Sequence, residues 1–358
     1  MKIGILTYHR ALNYGACFQA IATRILLERM GHSAFYIDYW PEYHKTKYEA
    51  FSTERLLKLP IKQKVTYLID VLRYYRFKVE KINNYKAFFD KYVNPYCVPM
   101  DTDFDLVLYG SDQIWRYQYE LMDYNPVYFA NNTIHAKKHV AFSASMGVLP
   151  HNIAMEARLK SLLENFSSIS VRENDLWELL DKIGFKSTIT LDPTLLLTND
   201  DWDSIIPTPG YSGHPYALVY GPDAFDVNSI KEFAKSKGLE TKIILFSPEH
   251  KDTEFLITTQ GPSKFIELFK NASFIFSSSF HGLAFSIIYK KNFLVSYEQN
   301  SNRAQTLLDS LGLSNRIIPP HTDIPQDIED IDYSLVGSKM EVAVNDSVEF
   351  LRKHIEVE

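Results

Sequence analysis

The chain has 358 residues, 46% hydrophobic and 23% charged, and carries a formal charge of −6. That is a prior of about two folded domains with enough core to need no disulfide or metal staple, and it argues against a general nucleic-acid binder. Two distant cysteines, Cys17 and Cys97, suggest a reducing compartment rather than a disulfide framework.

The first apolar strand, residues 2–6, is too short for a signal peptide, and no window approaches the ~20 apolar residues of a membrane span. A cytoplasmic location is expected. After it comes the polar, aromatic loop His9-Arg10-Ala11-Leu12-Asn13-Tyr14-Gly15-Ala16, of the kind that binds sugars, although an ordinary βα loop reads the same way. A helix is predicted over 16–30, stopped by Gly31, and a second strand over 34–38. Residues 41–95 then read as a helical insertion with 12 Lys/Arg against 6 Asp/Glu and many Tyr and Phe. Such a segment can rest on anionic lipid head groups or a lipid-linked substrate; a solvated helical hairpin packed by its own aromatics fits equally.

Further strands are predicted at 105–109, running into Gly110-Ser111-Asp112-Gln113, at 139–143, ending at Ser143, at 168–171, delivering Arg172, and at 188–191, leading into Asp192-Pro193-Thr194. Helices separate them at 152–166 and 175–183. Residues 198–213, with Pro207, Pro209, Gly210 and Gly213, read as a linker. A second α/β unit follows over 214–338, with strands at 216–220, 241–246, 273–278 and 293–296. A last amphipathic helix, about 339–353, is placed to cross back to the first unit, 1–197. Strands alternating with helices predict mostly parallel sheets with right-handed crossovers. The fold class expected is α/β, two Rossmann-like units facing across a cleft.

The common chemical motifs are missing. No G-x-G-x-x-G follows the first strand, no P-loop or G-x-S-x-G elbow is present, and the 11 histidines show no metal spacing. What remains is polar residues at strand ends. In Ser277-Ser278-Ser279-Phe280-His281-Gly282 an apolar strand runs into a helix start, whose free N–H groups and dipole suit phosphate or carboxylate. His281 could move a proton near neutral pH; a capped helix start with a structural histidine is the plainer alternative. Arg172 suits bidentate anion binding, or an ion pair with Glu173 or Asp175. Asp112 is a candidate base or sugar-hydroxyl acceptor, or a helix cap. Asn302 and Arg303 open a late helix and could add a cation.

Taken together, Lys2-Ile3-Gly4-Ile5-Leu6-Thr7, Asn13-Tyr14-Gly15-Ala16, Gly110-Ser111-Asp112-Gln113-Ile114-Trp115, Ser170-Val171-Arg172-Glu173, Asp192-Pro193-Thr194, Ser278-Ser279-Phe280-His281-Gly282 and Asn302-Arg303 resemble the polysaccharide pyruvyl transferase family, in order and spacing, over most of the chain. The resemblance implies a fold like that of GT-B glycosyltransferases. It implies transfer of a pyruvyl group from phosphoenolpyruvate to a hexose of a glycan, free or lipid-linked, forming a cyclic ketal and releasing phosphate, in capsular or exopolysaccharide synthesis in bacteria. By residue, it makes His281 catalytic, Arg172 an anion binder and Asp112 the acidic residue of the first unit. The surrounding substrate-binding set expected is His9, Asn13, Tyr14, Gln113, Ser143, Ser278, Ser279, Gly282, Asn302 and Arg303. No metal or cofactor is required. Where many relatives carry Arg two positions before the His, this chain has Ser279, so Arg303, Arg172 or the helix N-terminus is expected to neutralise the donor. Competing readings are a nucleotide-sugar glycosyltransferase of the same architecture, for which Glu298 alone is placed to hold a ribose, and a non-catalytic glycan-binding protein. Peripheral contact with the inner face of the membrane is a further expectation, from the basic segment.

Overall fold

The computed structural model describes residues 1–131, 133–244, 260–299 and 301–355. Its first unit opens with β1 (Lys2–Leu6), α1 (Tyr14–Arg29) and β2 (Ser33–Ile37), then the insertion helices α2 (Glu42–Tyr48), α3 (Thr53–Lys58) and α4 (Ile61–Tyr92). It continues through β3 (Cys97–Val98), β4 (Phe104–Tyr109), the small antiparallel hairpin β5 (Tyr117–Gln118) and β6 (Asp123–Tyr124), β7 (Ala136–Ala144), α5 (Ile153–Leu163), β8 (Ser168–Val171), α6 (Asn174–Lys182) and β9 (Thr188–Ile189). Seven strands form one parallel sheet in the order β3-β2-β1-β4-β7-β8-β9.

After α7 (Asn199–Ile205), the second unit runs β10 (Tyr216–Tyr220), α8 (Val227–Ser236), β11 (Glu240–Ile244), α9 (Pro262–Asn271), β12 (Phe274–Ser277), α10 (Phe280–Ile288), β13 (Asn292–Val295), α11 (Asn302–Leu311) and α12 (Tyr333–Ile355). Its parallel sheet has the order β11-β10-β12-β13. The fold is therefore α/β with two Rossmann-like units, as expected. The predicted strand 241–246 ends outside the described residues.

Strand order reverses between β1 and β4 in the first sheet and between β10 and β12 in the second. In open parallel sheets, crevices lie beyond the strand C-termini at such reversals. The loop with Asn13 follows β1 and Asp112 follows β4. Tyr220 ends β10, and Ser278, Ser279 and His281 follow β12. The two switch points thus collect the polar residues that the sequence placed at strand ends.

The predicted linker differs from expectation. Thr198 caps α7 in a reciprocal capping box with Asp201, and Trp202 on that helix is fully buried. Its indole packs edge-on to Phe18 of α1, at 5.5 Å, and against Phe285 of α10, at 5.3 Å. Phe18 also meets Phe285 at 4.9 Å and Phe265 of α9 at 5.5 Å. One hydrophobic core therefore runs through both units, with a further core on the far face of each sheet. The capping signal outweighed the proline and glycine content of 198–213 because it came with an indole to bury.

The last helix, α12, packs on the first unit. Phe350 stacks on Phe142 of β7 at 6.2 Å, His354 Nδ1 lies 2.8 Å from Ser168 Oγ, and Ser347 Oγ accepts the Leu191 N–H at 2.9 Å. Phe18→Ala removes the ring on which Trp202, Phe265 and Phe285 converge at the unit boundary. It should lower unfolding stability by about 3–5 kcal/mol while leaving a single transition, checked by chemical denaturation followed through both tryptophan fluorescence and far-UV circular dichroism.

Candidate functional site

Between the two switch points lies a cleft of about 1250 Å³. That exceeds the usual ~300–1,000 Å³ of a small-molecule pocket, so it has room for more than one sugar ring. Its floor on the second-unit side is the turn from β12 into α10. Leu283, Ala284, Phe285, Ile287 and Ile288 are all buried, so α10 is a core helix whose start is fixed by packing. Gly282 permits this, since a Cβ there would sit 2.0 Å from Ser277 Oγ. No side chain caps this helix at Ser279, which leaves first-turn N–H groups for an anion.

His281 lines the cleft and is 8% exposed. One edge of its ring lies against α1: a Cβ on Gly15 would be 1.9 Å from His281 Nδ1. Its Nε2 lies 3.5 Å from Asp192 Oδ2, at the outer edge of hydrogen-bond distance. Asp192 has no solvent exposure in its side chain. Arg172 Nη1 and Ser111 Oγ (3.2 Å) donate to its Oδ2, and Thr194 donates its N–H (3.0 Å) and hydroxyl (2.7 Å) to Oδ1. Burial alone would raise the Asp192 pKa; Arg172 and His281 outweigh it and hold the carboxyl well below the usual carboxylate range. The carboxylate thus stands as a buried negative charge directly behind the imidazole.

Arg303 lines the cleft beside Phe280, its guanidinium 5.5 Å from the ring centre. Burial and the nearby Arg172 push its pKa down, far from enough to discharge a guanidinium. Arg172 sits on the same ring at 5.4 Å, but its side chain is 1% exposed and faces a smaller adjoining cavity of about 120 Å³ rather than the main cleft. Its predicted partners, Glu173 and Asp175, are replaced by Asp192, while its Nε and Nη2 have no hydrogen-bond partner. Glu173 is occupied with Ser145 Oγ at 2.5 Å.

On the first-unit side, Asp112, Gln113 and Asn13 line the cleft. Asn13 also caps α1 by accepting the Ala16 N–H at 3.1 Å, and Asp112 accepts the Gln113 N–H at 2.7 Å. Ser278 and Ser279 line the opposite wall. Ser278 Oγ donates to the Gly221 carbonyl at 2.7 Å.

Five expected binding residues do not line the cleft: Gly282, which is buried against Ser277, and four with polar side chains. His9 is fully buried, its Nδ1 3.1 Å from the Thr7 carbonyl and its ring stacked on Tyr36, and burial pushes its pKa to about 4. Tyr14 spends its hydroxyl on the Gln260 carbonyl at 2.7 Å and packs on Phe265 at 4.7 Å, so it ties the units together. Ser143 is enclosed in a bulge of β7, its hydroxyl donating to the Leu191 carbonyl at 2.6 Å. Asn302 turns outward and donates to Asp175. In each case a nearer protein partner claims the polar group. Glu298 also lies outside the cleft, exposed and 3.1 Å from His321 Nε2, which removes the residue that favoured a nucleotide-sugar site.

Sequence reasoning missed the outer walls. Tyr43, His44, Lys47, Tyr48, Arg55 and Lys58 of the insertion form one, and the β5–β6 hairpin with Arg116, Tyr117 and Tyr119 forms another. Asp192 and Gly15 were visible only as members of motifs. The strand-end Asp-Pro was the signal for the first, the glycine at a helix start for the second. Among the described residues no group of His, Cys, Asp and Glu side chains is assembled to hold a metal ion.

Gly15→Ala should displace the imidazole, depress turnover by about 10²-fold or more and lower stability by about 1–3 kcal/mol through overpacking, checked by steady-state kinetics alongside thermal denaturation. Asp192→Asn leaves Arg172 buried beside a neutral amide and should cost about 3–5 kcal/mol. Because the folded pKa of Asp192 is depressed, its stabilisation is complete above the unfolded value near ~3.9 and falls away as pH drops below it. The stability gap between wild type and variant should therefore shrink from pH 5 to pH 3 (both ~) in urea titrations.

Comparison with known proteins adds three findings. No curated protein matches the sequence. Solved structures similar in outline include UDP-GlcNAc 2-epimerases from Methanocaldococcus jannaschii (11% identity, 99% of each chain, TM-score 0.46) and Neisseria meningitidis (11% identity, 98% of this chain and 100% of that one, TM-score 0.45). A putative enzyme of the same name from Listeria monocytogenes is similar at 8% identity over 99% of this chain and 91% of that one, TM-score 0.48. Resemblance at this level says nothing about activity. Residues 13–300, which contain every cleft-floor residue described above except Arg303, match the polysaccharide pyruvyl transferase family, and the chain belongs to it.

Proposed function

We propose that the chain moves the pyruvyl group of phosphoenolpyruvate onto a hexose of a glycan, forming a cyclic ketal and releasing inorganic phosphate, in the synthesis of a bacterial capsular or extracellular polysaccharide. The observation that carries this reading is a histidine backed by a buried carboxylate, opening into the same cleft as a guanidinium and a helix N-terminus. An enol phosphate with a carboxylate needs that set: a proton for its methylene carbon, and positive charge for two anionic groups.

In this scheme protonated His281 delivers a proton to C3 of the donor, leaving positive charge at C2. A hexose hydroxyl adds to C2 and gives up its proton to a base, for which Asp112 on the facing wall and the now neutral His281 are the candidates. The C2–O bond to phosphate then breaks, the base returning that proton to the leaving phosphate, and a second hydroxyl of the same hexose closes the ketal, its proton passing to the neutral His281 and restoring the imidazolium. Asp192 stabilises the imidazolium without itself changing protonation. Arg303 and the first turn of α10 hold phosphate and carboxylate, filling the place of the family arginine where this chain has Ser279. Arg172 acts through Asp192, which its Nη1 contacts. The scheme calls for no metal or cofactor.

The aromatic outer walls suit the acceptor, because sugar rings pack their C–H faces on Tyr and His rings. Burial pushes the His44 pKa there to about 4, so it meets the acceptor as a neutral ring.

The direct test is phosphate release from phosphoenolpyruvate against a panel of galactosides, glucosides and mannosides, free and lipid-linked. Release with one acceptor class is expected, together with thermal stabilisation by phosphoenolpyruvate and none by nucleoside diphosphates. Stabilisation by nucleotides alone would move the protein to the glycosyltransferases; sugar binding without phosphate release would make it a binding protein. His281→Ala should cut release by about 10²–10⁴-fold. Arg303→Ala should raise KM for phosphoenolpyruvate more than it lowers kcat, with partial recovery in Arg303→Lys.

A further inference from the structure

The insertion does more than wall the cleft. Along α4, Ile61, Val65, Leu68, Ile69, Leu72 and Tyr75 are all exposed, Ile61 and Leu72 at 82% each. At 100° per residue they fall within an arc of about 120°. Tyr67 and Val71, on another side of the same helix, are buried, with the Tyr67 hydroxyl accepting the Ser52 N–H at 2.7 Å. Lower down, Tyr85, Phe88 and Phe89 root α4 in the core shared by the units. The first half of the helix therefore stands off the protein with its apolar stripe outward.

The stripe is bordered by Lys62 and Arg73 on one side and Lys64 on the other, Arg76 falls within its arc just past Tyr75, and Asp70 lies opposite. Residues 54–79 hold seven Lys/Arg and two Asp/Glu, in a chain whose formal charge is −6. An apolar stripe edged with basic side chains is the pattern of a helix lying in the head-group plane of an anionic bilayer. A second copy fits less well: an antiparallel pairing of this stripe sets Lys62 and Lys64 against Arg73 and Arg76, and a parallel one sets each against itself. No helix among the described residues is long and apolar enough to cross a membrane, so the stripe lies on a surface rather than within one.

The stripe is also continuous with the cleft. On α3 and the turn into α4, Arg55, Lys58 and Leu59 line the cleft while Leu57, at 75% exposure, and Ile61 face outward. We propose that this face seats the protein on an anionic lipid surface, with the mouth of the cleft opening at head-group level toward a lipid-linked acceptor. The seating stands on the stripe and its charges; the delivery of acceptor rests on the transfer reading above.

The test is co-sedimentation of the full chain with vesicles of phosphatidylcholine alone or mixed with phosphatidylglycerol, at low and high salt. Binding to the anionic vesicles, weakened by salt and absent from the neutral ones, is expected. Ile69→Glu with Leu72→Glu, and separately Lys62→Glu with Lys64→Glu, should each reduce binding by about tenfold or more. All four side chains are exposed or half-buried and none lines the cleft, so melting temperature and phosphate release with a soluble hexoside should be unchanged. Release with an acceptor held in the vesicles should fall. Wild type remaining in the supernatant overturns the proposal, as does light scattering showing that wild type is a dimer which Ile69→Glu with Leu72→Glu dissociates. Vesicle binding without phosphate release from any acceptor leaves the seating intact and removes the transfer reading.

Discussion

A single carboxylate with no access to water joins the two halves of this molecule. Asp192 hangs from the end of the first sheet, takes an ion pair from Arg172 on the neighbouring strand end, and stands within 3.5 Å of His281 on the second unit. Burying such a charge alone would cost several kcal/mol. It is tolerable because four donors converge on it, from Arg172, Ser111 and twice from Thr194, with the His281 ring 3.5 Å away. The donors come from three separate segments and the ring from a fourth, so the packing of all four is coupled to the ionisation of one group. The ring that faces the cleft is oriented by a network which the fold must complete.

That network needs two units held at fixed separation. The aromatic cluster of Phe18, Trp202, Phe265 and Phe285 provides this, and Tyr14 adds a hydrogen bond across the same boundary. Gly15 then lets α1 approach the imidazole more closely than any side chain would permit. Histidine orientation, aromatic packing and a missing Cβ are thus three parts of one constraint. The cations are divided along the same lines. Arg172 serves the buried carboxylate, and Arg303 faces the cleft, with Phe280 between them.

Local features were readable from sequence where one residue type has one dominant use. Apolar runs gave parallel strands in the expected order, and the polar groups at their C-termini, Asp112 and His281 among them, do meet at the switch points. The reading failed where a polar residue had a choice of partner. His9, Tyr14, Ser143 and Asn302 look like binding residues in a list of motifs, yet each is claimed by a carbonyl or carboxylate, His9 by Thr7 beside it in sequence and the other three by groups near only in three dimensions. Asp192 is the converse. Its partners lie 20 and 89 residues away in sequence, and no local pattern reports that distance. The proline-rich stretch after it concealed a helix because the indole it buries is matched by rings from both units.

None of residues 42–59 joins any of the three hydrophobic cores, although several of them form a wall of the cleft. Asp192 and His281, in contrast, are buried next to core residues. Divergence among relatives should follow that partition. Changes in residues 42–59 leave the hydrophobic cores untouched and re-shape one wall of the cleft, whereas changes around the carboxylate disturb the packing of several segments at once. Such an arrangement lets one scaffold adopt new acceptors by exchanging a detachable wall.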